Sequence, residues 1–163
     1  QLLIQAPQNT DPELAIALNR DYSRMRQLIE AIGLEFNTLL KVDQNILKLD
    51  SGFDLTVRVH NQPRVNFKVA ELIGNLKQLK GSLIIQTLFL RGEYNGRVID
   101  NTTPEELEAW LKAVALIKPS EVMIYTISRD TPEGGRLAKV PVSELKRIAA
   151  MVNGLGIKTS VSG

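Results

Sequence analysis

Ser82-Leu83-Ile84-Ile85-Gln86-Thr87-Leu88-Phe89-Leu90-Arg91 is the stretch that decides the fold. It is apolar yet far shorter than the roughly 20 residues of a membrane-spanning helix, and it stops at Gly92 as polar residues arrive. Such a run reads as a strand of a parallel sheet buried on both faces. Its carboxyl end then lies on the rim where α/β proteins bind their ligands. Gln86, Thr87 and Arg91 are the polar exceptions near that end, and they are candidate site residues.

Working outward, strand and helix patterns alternate. Residues 2–5, 45–49, 121–128 and 157–161 read as further strands, which gives about five. Between residues 11 and 33, apolar residues recur at helical intervals behind Asp11-Pro12, and Gly33 closes the pattern. Residues 34–42 read as a second short helix. Val69, Leu72, Ile73, Leu76 and Leu79 mark another helix, ended by Gly81. Thr103-Pro104-Glu105-Glu106 is a helix start with the spacing of a capping box, in which Glu106 is expected to reach back to Thr103. Leu107, Trp110, Leu111 and Val114 form the buried side of that helix. Leu145, Ile148, Ala149 and Val152 mark the last one. No run of consecutive strands suggests hairpins. The fold class is therefore α/β, a single domain over residues 1–163 with a mostly parallel sheet of about five strands. Too few units are present to close an eight-stranded barrel, so the sheet is an open one or an arc cut from a barrel.

Composition removes several functions. Hydrophobic residues make up 44% and the net charge is +2, so neither a nucleic-acid partner nor an acidic membrane surface is indicated. No segment is long enough to span a membrane, and the first residues lack the layout of a signal peptide. With no cysteine in the chain, disulfides and thiolate metal sites are absent and a cytoplasmic setting is expected.

The rim of a parallel sheet built this way collects Lys48, Asp50 and Ser51, then Gln86, Thr87 and Arg91, then Tyr125, Thr126, Ser128 and Arg129. Lys48 has two readings, an amine able to form a Schiff base, or a structural lysine that pairs with Asp50 on the same strand face or stands as an exposed stem. His60 is the only histidine, and without a second imidazole or a thiol no metal site is expected. No nucleophile–histidine–carboxylate order assembles around it. Trp110 and Tyr22 are expected in the core.

Several segments, in order and suitably spaced, resemble the C-terminal part of a radical S-adenosylmethionine enzyme, in the branch of Fe–S oxidoreductases related to tRNA wyosine-base synthases. They are Asn45-Ile46-Leu47-Lys48-Leu49-Asp50-Ser51-Gly52, Leu83 to Gly92, Asn101-Thr102-Thr103-Pro104-Glu105-Glu106, Glu121 to Arg129, and Gly156-Ile157-Lys158-Thr159-Ser160-Val161. The resemblance covers residues 42–163; residues 1–41 diverge as a strand plus a long helix. It implies an arc of an incomplete (βα)6 TIM-like barrel. It also implies S-adenosylmethionine as cofactor, with Asp50 and Ser51 near the ribose, Gln86 and Thr87 near the sulfonium and methionyl part, and Tyr125, Thr126 and Ile127 near the adenine.

The family holds a 4Fe–4S cluster on three cysteines, and this chain has none. The cluster is therefore expected only in a full-length parent, and the chain alone is expected to be catalytically inactive. It is either a truncation or a remodelled protein. Exposure of the edge strand at residues 2–5 implies a homo-oligomer, or a helix folded over that edge. The alternatives are a non-catalytic α/β binding or oligomerisation module and a Lys48 Schiff-base lyase.

Overall fold

A computed structural model describes residues 4–5, 44–61, 68–79, 81–94, 96–127 and 136–163. The helices expected between residues 11 and 42, Tyr22, Ser128 and Arg129 lie outside these residues. In chain order the elements are β1 (Ile4–Gln5), β2 (Gln44–Lys48), α1 (Asp54–Asn61), α2 (Val69–Lys77), β3 (Ile84–Tyr94) and β4 (Arg97–Asp100). They continue with α3 (Pro104–Ile117), β5 (Glu121–Thr126), β6 (Leu137–Lys139), α4 (Val142–Asn153) and β7 (Lys158–Ser162). No helix among the described residues is long and apolar enough to cross a membrane.

The sheet runs β1-β2-β3-β5-β7, with β2, β3, β5 and β7 parallel and β1 antiparallel at the end. These are the five expected strands. The architecture is α/β with a mostly parallel sheet. Two further strands, β4 and β6, both pair antiparallel with β3. The expectation that the chain lacks hairpins is therefore corrected. The first part of β3 belongs to the parallel ladder, and its second part continues past Gly92 into a hairpin with β4. Tyr94-Asn95-Gly96-Arg97 carries the two-residue Asn-Gly turn signal, and Gly96 has the positive φ of 73° that such a turn demands. Gly92 lets β6 close in, because a Cβ there would lie 2.0 Å from the Arg136 carbonyl oxygen.

One face of the parallel ladder makes the core. Leu47, Leu49, Ile85, Phe89, Val122 and Ile124 are buried there against α2, α3 and α4. Trp110 stands edge-on to Phe89 with ring centroids 5.2 Å apart and planes at 83°. Its Nε1 donates to the Leu49 carbonyl (3.0 Å) and to Thr87 Oγ1 (3.2 Å), so the one polar atom of a fully buried indole is satisfied. The alternation of a strand sends the intervening side chains to the second face.

The helix start at residue 103 holds, but not as a capping box. Thr103 Oγ1 accepts from the Glu106 N–H at 3.3 Å with Pro104 in the first turn. The Glu106 carboxylate instead accepts from Ser51 Oγ and Thr56 Oγ1, each at 2.5 Å.

Candidate functional site

Strand register aligns the second face. Lys48 lies opposite Gln86, Gln86 opposite Met123, and Met123 opposite Ser160. One step toward the carboxyl ends, Leu88 lies opposite Tyr125 and Tyr125 opposite Ser162. Asp50 lies two residues past the end of β2, on the same side as Lys48. Gln86, Met123 and Tyr125 are half-buried.

Asp50 is the centre of the arrangement. Its side chain is completely buried, which an isolated carboxylate does not tolerate. Oδ1 accepts from the Leu88 N–H at 2.8 Å. Oδ2 faces Lys48 Nζ at 3.1 Å and His60 Nδ1 at 3.2 Å. The approach to His60 is a close polar contact without the alignment of a hydrogen bond. Burial pushes the Asp50 carboxyl up, but Lys48, His60 and the Leu88 amide together outweigh it and hold the group well below the ordinary carboxylate range. Lys48 also donates to Asn61 Oδ1 at 3.0 Å.

Helix α1 supplies both His60 and Asn61, and no helix was expected there. Its far end is tethered by Thr56 to Glu106 of α3. The strap thus crosses from the α3 start to the Lys48–Asp50 pair. Gly52 permits the approach, since a Cβ at that position would sit 2.6 Å from the Ala109 carbonyl carbon.

Asn101, which follows β4, stitches this rim together. Its Nδ2 donates to the Asp50 carbonyl (2.9 Å) and the Leu88 carbonyl (2.8 Å), and its Oδ1 accepts from the Leu90 N–H (3.0 Å). Arg91 donates to Thr102 Oγ1 and to Glu144 Oε1 (2.5 Å), joining the hairpin to α4.

The seven residues named from the sequence divide into three groups. Asp50 is engaged by Lys48 and His60, and buried Ser51 donates to Glu106 and accepts from the Phe53 N–H. Thr87 and Thr126 face the core. The Thr87 hydroxyl donates to the Leu49 carbonyl at 2.8 Å, and that of Thr126 accepts from the Val140 N–H at 2.9 Å. Gln86, Tyr125 and Ile127 are the three with half-buried side chains. Burial, with a contribution from the Asp50 charge, raises the Tyr125 phenol above its usual range, so it stays a neutral hydroxyl.

Lys48 is ion-paired with Asp50, the structural alternative of the two sequence readings. His60 and Asn61 were missed as part of the group. Their one sequence signal is polar residues closing a short helical turn after a Gly52-Phe53-Asp54 start.

The residues present do not suit an iron–sulfur cluster. The chain has no cysteine, and no group of three or more metal-ligating side chains exists among the described residues.

No protein-family model and no curated protein sequence matches the chain. Solved structures do. A radical SAM methyltransferase from Sphaerobacter thermophilus superposes with a TM-score of 0.55 at 12% identity, over 83% of this chain and 37% of that one. A domain of pyruvate-formate lyase-activating enzyme from Bacteroides vulgatus superposes with a TM-score of 0.55 at 8% identity, over 90% of this chain and 78% of that one. The chain thus spans little more than a third of the methyltransferase, and at these identities the likeness is one of fold. Its α/β arrangement is the one found in these two proteins.

Proposed function

We propose that this chain is part of a radical S-adenosylmethionine enzyme, an arc of its barrel that contributes the ribose and adenine side of the cofactor site. The observation that supports it is the line of Lys48, Gln86, Met123 and Ser160 across four parallel strands, with Tyr125 one step beyond, on the face opposite the core. When bound, the cofactor of such enzymes supplies a radical through an iron–sulfur cluster. This chain lacks cluster ligands, so the activity belongs to a larger assembly and the contribution here is binding. Gln86 offers an amide donor and acceptor and Tyr125 a neutral hydroxyl, both suited to nucleoside edges. The finer assignment to the wyosine-synthase branch rests on the sequence segments around Asp50, Gln86 and Tyr125, and cytoplasmic residence on the lack of cysteine. Pairing of two copies through the β1 edge completes the proposal.

Titration calorimetry with S-adenosylmethionine and 5′-deoxyadenosine tests it. Binding that weakens in Gln86→Leu and Tyr125→Leu is the expected result. Absence of binding at millimolar ligand removes the proposal and leaves the non-catalytic module. The lyase reading has no comparable support, because Lys48 Nζ is held by both Asp50 and Asn61. Borohydride trapping of a carbonyl compound on Lys48 would revive it.

A further inference from the structure

Helix α1 is held to the molecule differently from α2, α3 and α4. Val57 is its one buried apolar residue, against three in α2, five in α3 and four in α4. Leu55 is 67% exposed, and Phe53, just ahead of the helix, is 44% exposed. No α1 residue joins the main core cluster. A helix of eight residues is not stable by itself in water, so α1 exists largely through its polar ties.

Those ties differ between its two ends. At the first turn, Asp54 Oδ1 accepts from the Val69 N–H at 2.8 Å, and Oδ2 pairs with Lys68 at 3.0 Å. Thr56 donates to Glu106, which also takes the Ser51 hydroxyl, and Ser51 accepts from the Phe53 N–H. The entry to α1 is thereby fixed to α2 and α3. At the last turn, Asn61 Oδ1 accepts from Lys48 Nζ, and His60 lies against Asp50. Asp50 Oδ2 and both ring nitrogens of His60 are buried in that seam without an aligned hydrogen bond among the described residues. A buried polar atom left so costs more than a typical hydrogen bond returns. Water would satisfy all three once the last turn lifted.

We propose that α1 is a strap, anchored at its first turn and released at its last, that opens as a local unit while the sheet stays folded. Closed, it seals the Asp50 carboxylate from solvent. Open, it gives water and small solutes access to the Lys48–Asp50 pair beyond β2, so this part of the rim is gated. Elements with few buried apolar contacts open well below the free energy of global unfolding, and α1 has the fewest buried apolar residues of the described helices. The strap depends on how α1 is held, not on which ligand the rim takes, so it stands or falls apart from the nucleoside reading.

Amide hydrogen exchange of the full chain, read by mass spectrometry at several low urea concentrations, tests it. Peptides over residues 54–61 should exchange about a hundredfold faster than those over residues 84–89 of β3, at a rate that urea barely changes, yet more slowly than an unstructured chain. Asn61→Ala removes the tie at the last turn and should speed exchange in α1 about fivefold, the worth of one net hydrogen bond. Ile85→Val, in the core, should speed exchange in β3 by a similar factor and leave α1 unchanged, because the open strap keeps that contact. Exchange of α1 in step with β3, with the same urea dependence, overturns the inference, since α1 then opens only when the whole molecule unfolds. Exchange of α1 at the unstructured rate also overturns it, since no closed strap then exists. An α1 rate indifferent to Asn61→Ala removes the release at the last turn and overturns it too.

Discussion

Lys48 Nζ lies 3.1 Å from Asp50 Oδ2, joining two residues that alternate onto one face at the end of β2, with the carboxylate fully buried and the lysine partly exposed. The pair carries a charge-balance prediction. Asp50→Asn leaves Lys48 without its counter-charge and is expected to destabilise by about 3 kcal/mol, at the low end for buried pairs because Lys48 keeps some solvent. Lys48→Met combined with Asp50→Asn should recover much of that loss. Urea unfolding of the single and double variants checks it, and a double variant as unstable as the single one would mean the pair is not the cause.

The same carboxylate makes stability depend on pH. Folding lowers the Asp50 pKa, so as pH falls the unfolded chain takes up its proton first. The contribution is complete above the unfolded value of about 3.9 and is lost progressively below it. Asp54, bonded to the Val69 amide and Lys68, and Glu121, bonded to Ser160 and Lys158, shift the same way and add to the slope. The urea midpoint should therefore fall between pH 5 and pH 3. It should fall less steeply in the Lys48→Met/Asp50→Asn protein, and identical slopes would exclude Asp50 as a contributor.

Asn101 bonds three backbone groups at once, two carbonyls and one amide. Asn101→Ala leaves them buried and is expected to cost about 2–4 kcal/mol. Asn101→Asp keeps the acceptor for Leu90 but sets a carboxylate against the two carbonyls, so it should be no better. Thermal unfolding distinguishes this from a surface role, in which both variants would melt like the parent.

Gly52→Ala places a Cβ within 2.8 Å of the Ala109 carbonyl carbon, its oxygen and its Cβ. Overpacking of this kind typically costs about 1–3 kcal/mol. Because two of the three obstructing atoms are backbone, Ala109→Gly should not rescue it. Full rescue in the double variant would show that α3 yields more readily than the packing implies.

Trp110→Phe retains the ring against Phe89 but removes the Nε1 donor. The Leu49 carbonyl keeps its bond from Thr87, so the expected loss is modest, about 1–2 kcal/mol, read by circular dichroism because the only tryptophan is gone. A loss of 4 kcal/mol or more would mean that packing, not the hydrogen bonds, dominates.

What the sequence determined by itself was the local and periodic part of the molecule. Alternation and apolar runs placed the five strands of the main path, and helical spacing placed α2, α3 and α4. The i, i+2 spacing put Lys48 and Asp50 on one face. These signals act over a few residues, so they are written in consecutive positions. Even so, the Asn-Gly turn that makes the β3–β4 hairpin was legible and was passed over, because the apolar run before it resembled a complete strand.

Tertiary structure decided which polar groups meet. His60 reaches Asp50 because α1 folds back over the rim, and Glu106 leaves its expected cap because Ser51 and Thr56 come within 2.5 Å of its carboxylate. Thr87 and Thr126 turn toward the core by the parity of their strands, where Trp110, Leu49 and the Val140 amide engage them. Asn101 gathers carbonyls from β3 and from the residue beyond β2 only once the hairpin has closed. Such partners lie between 10 and 55 residues apart in the chain, so their bonds depend on sheet register and helix placement rather than on any local pattern. The physical reason is that a polar side chain's partner is fixed by where burial forces it to find one.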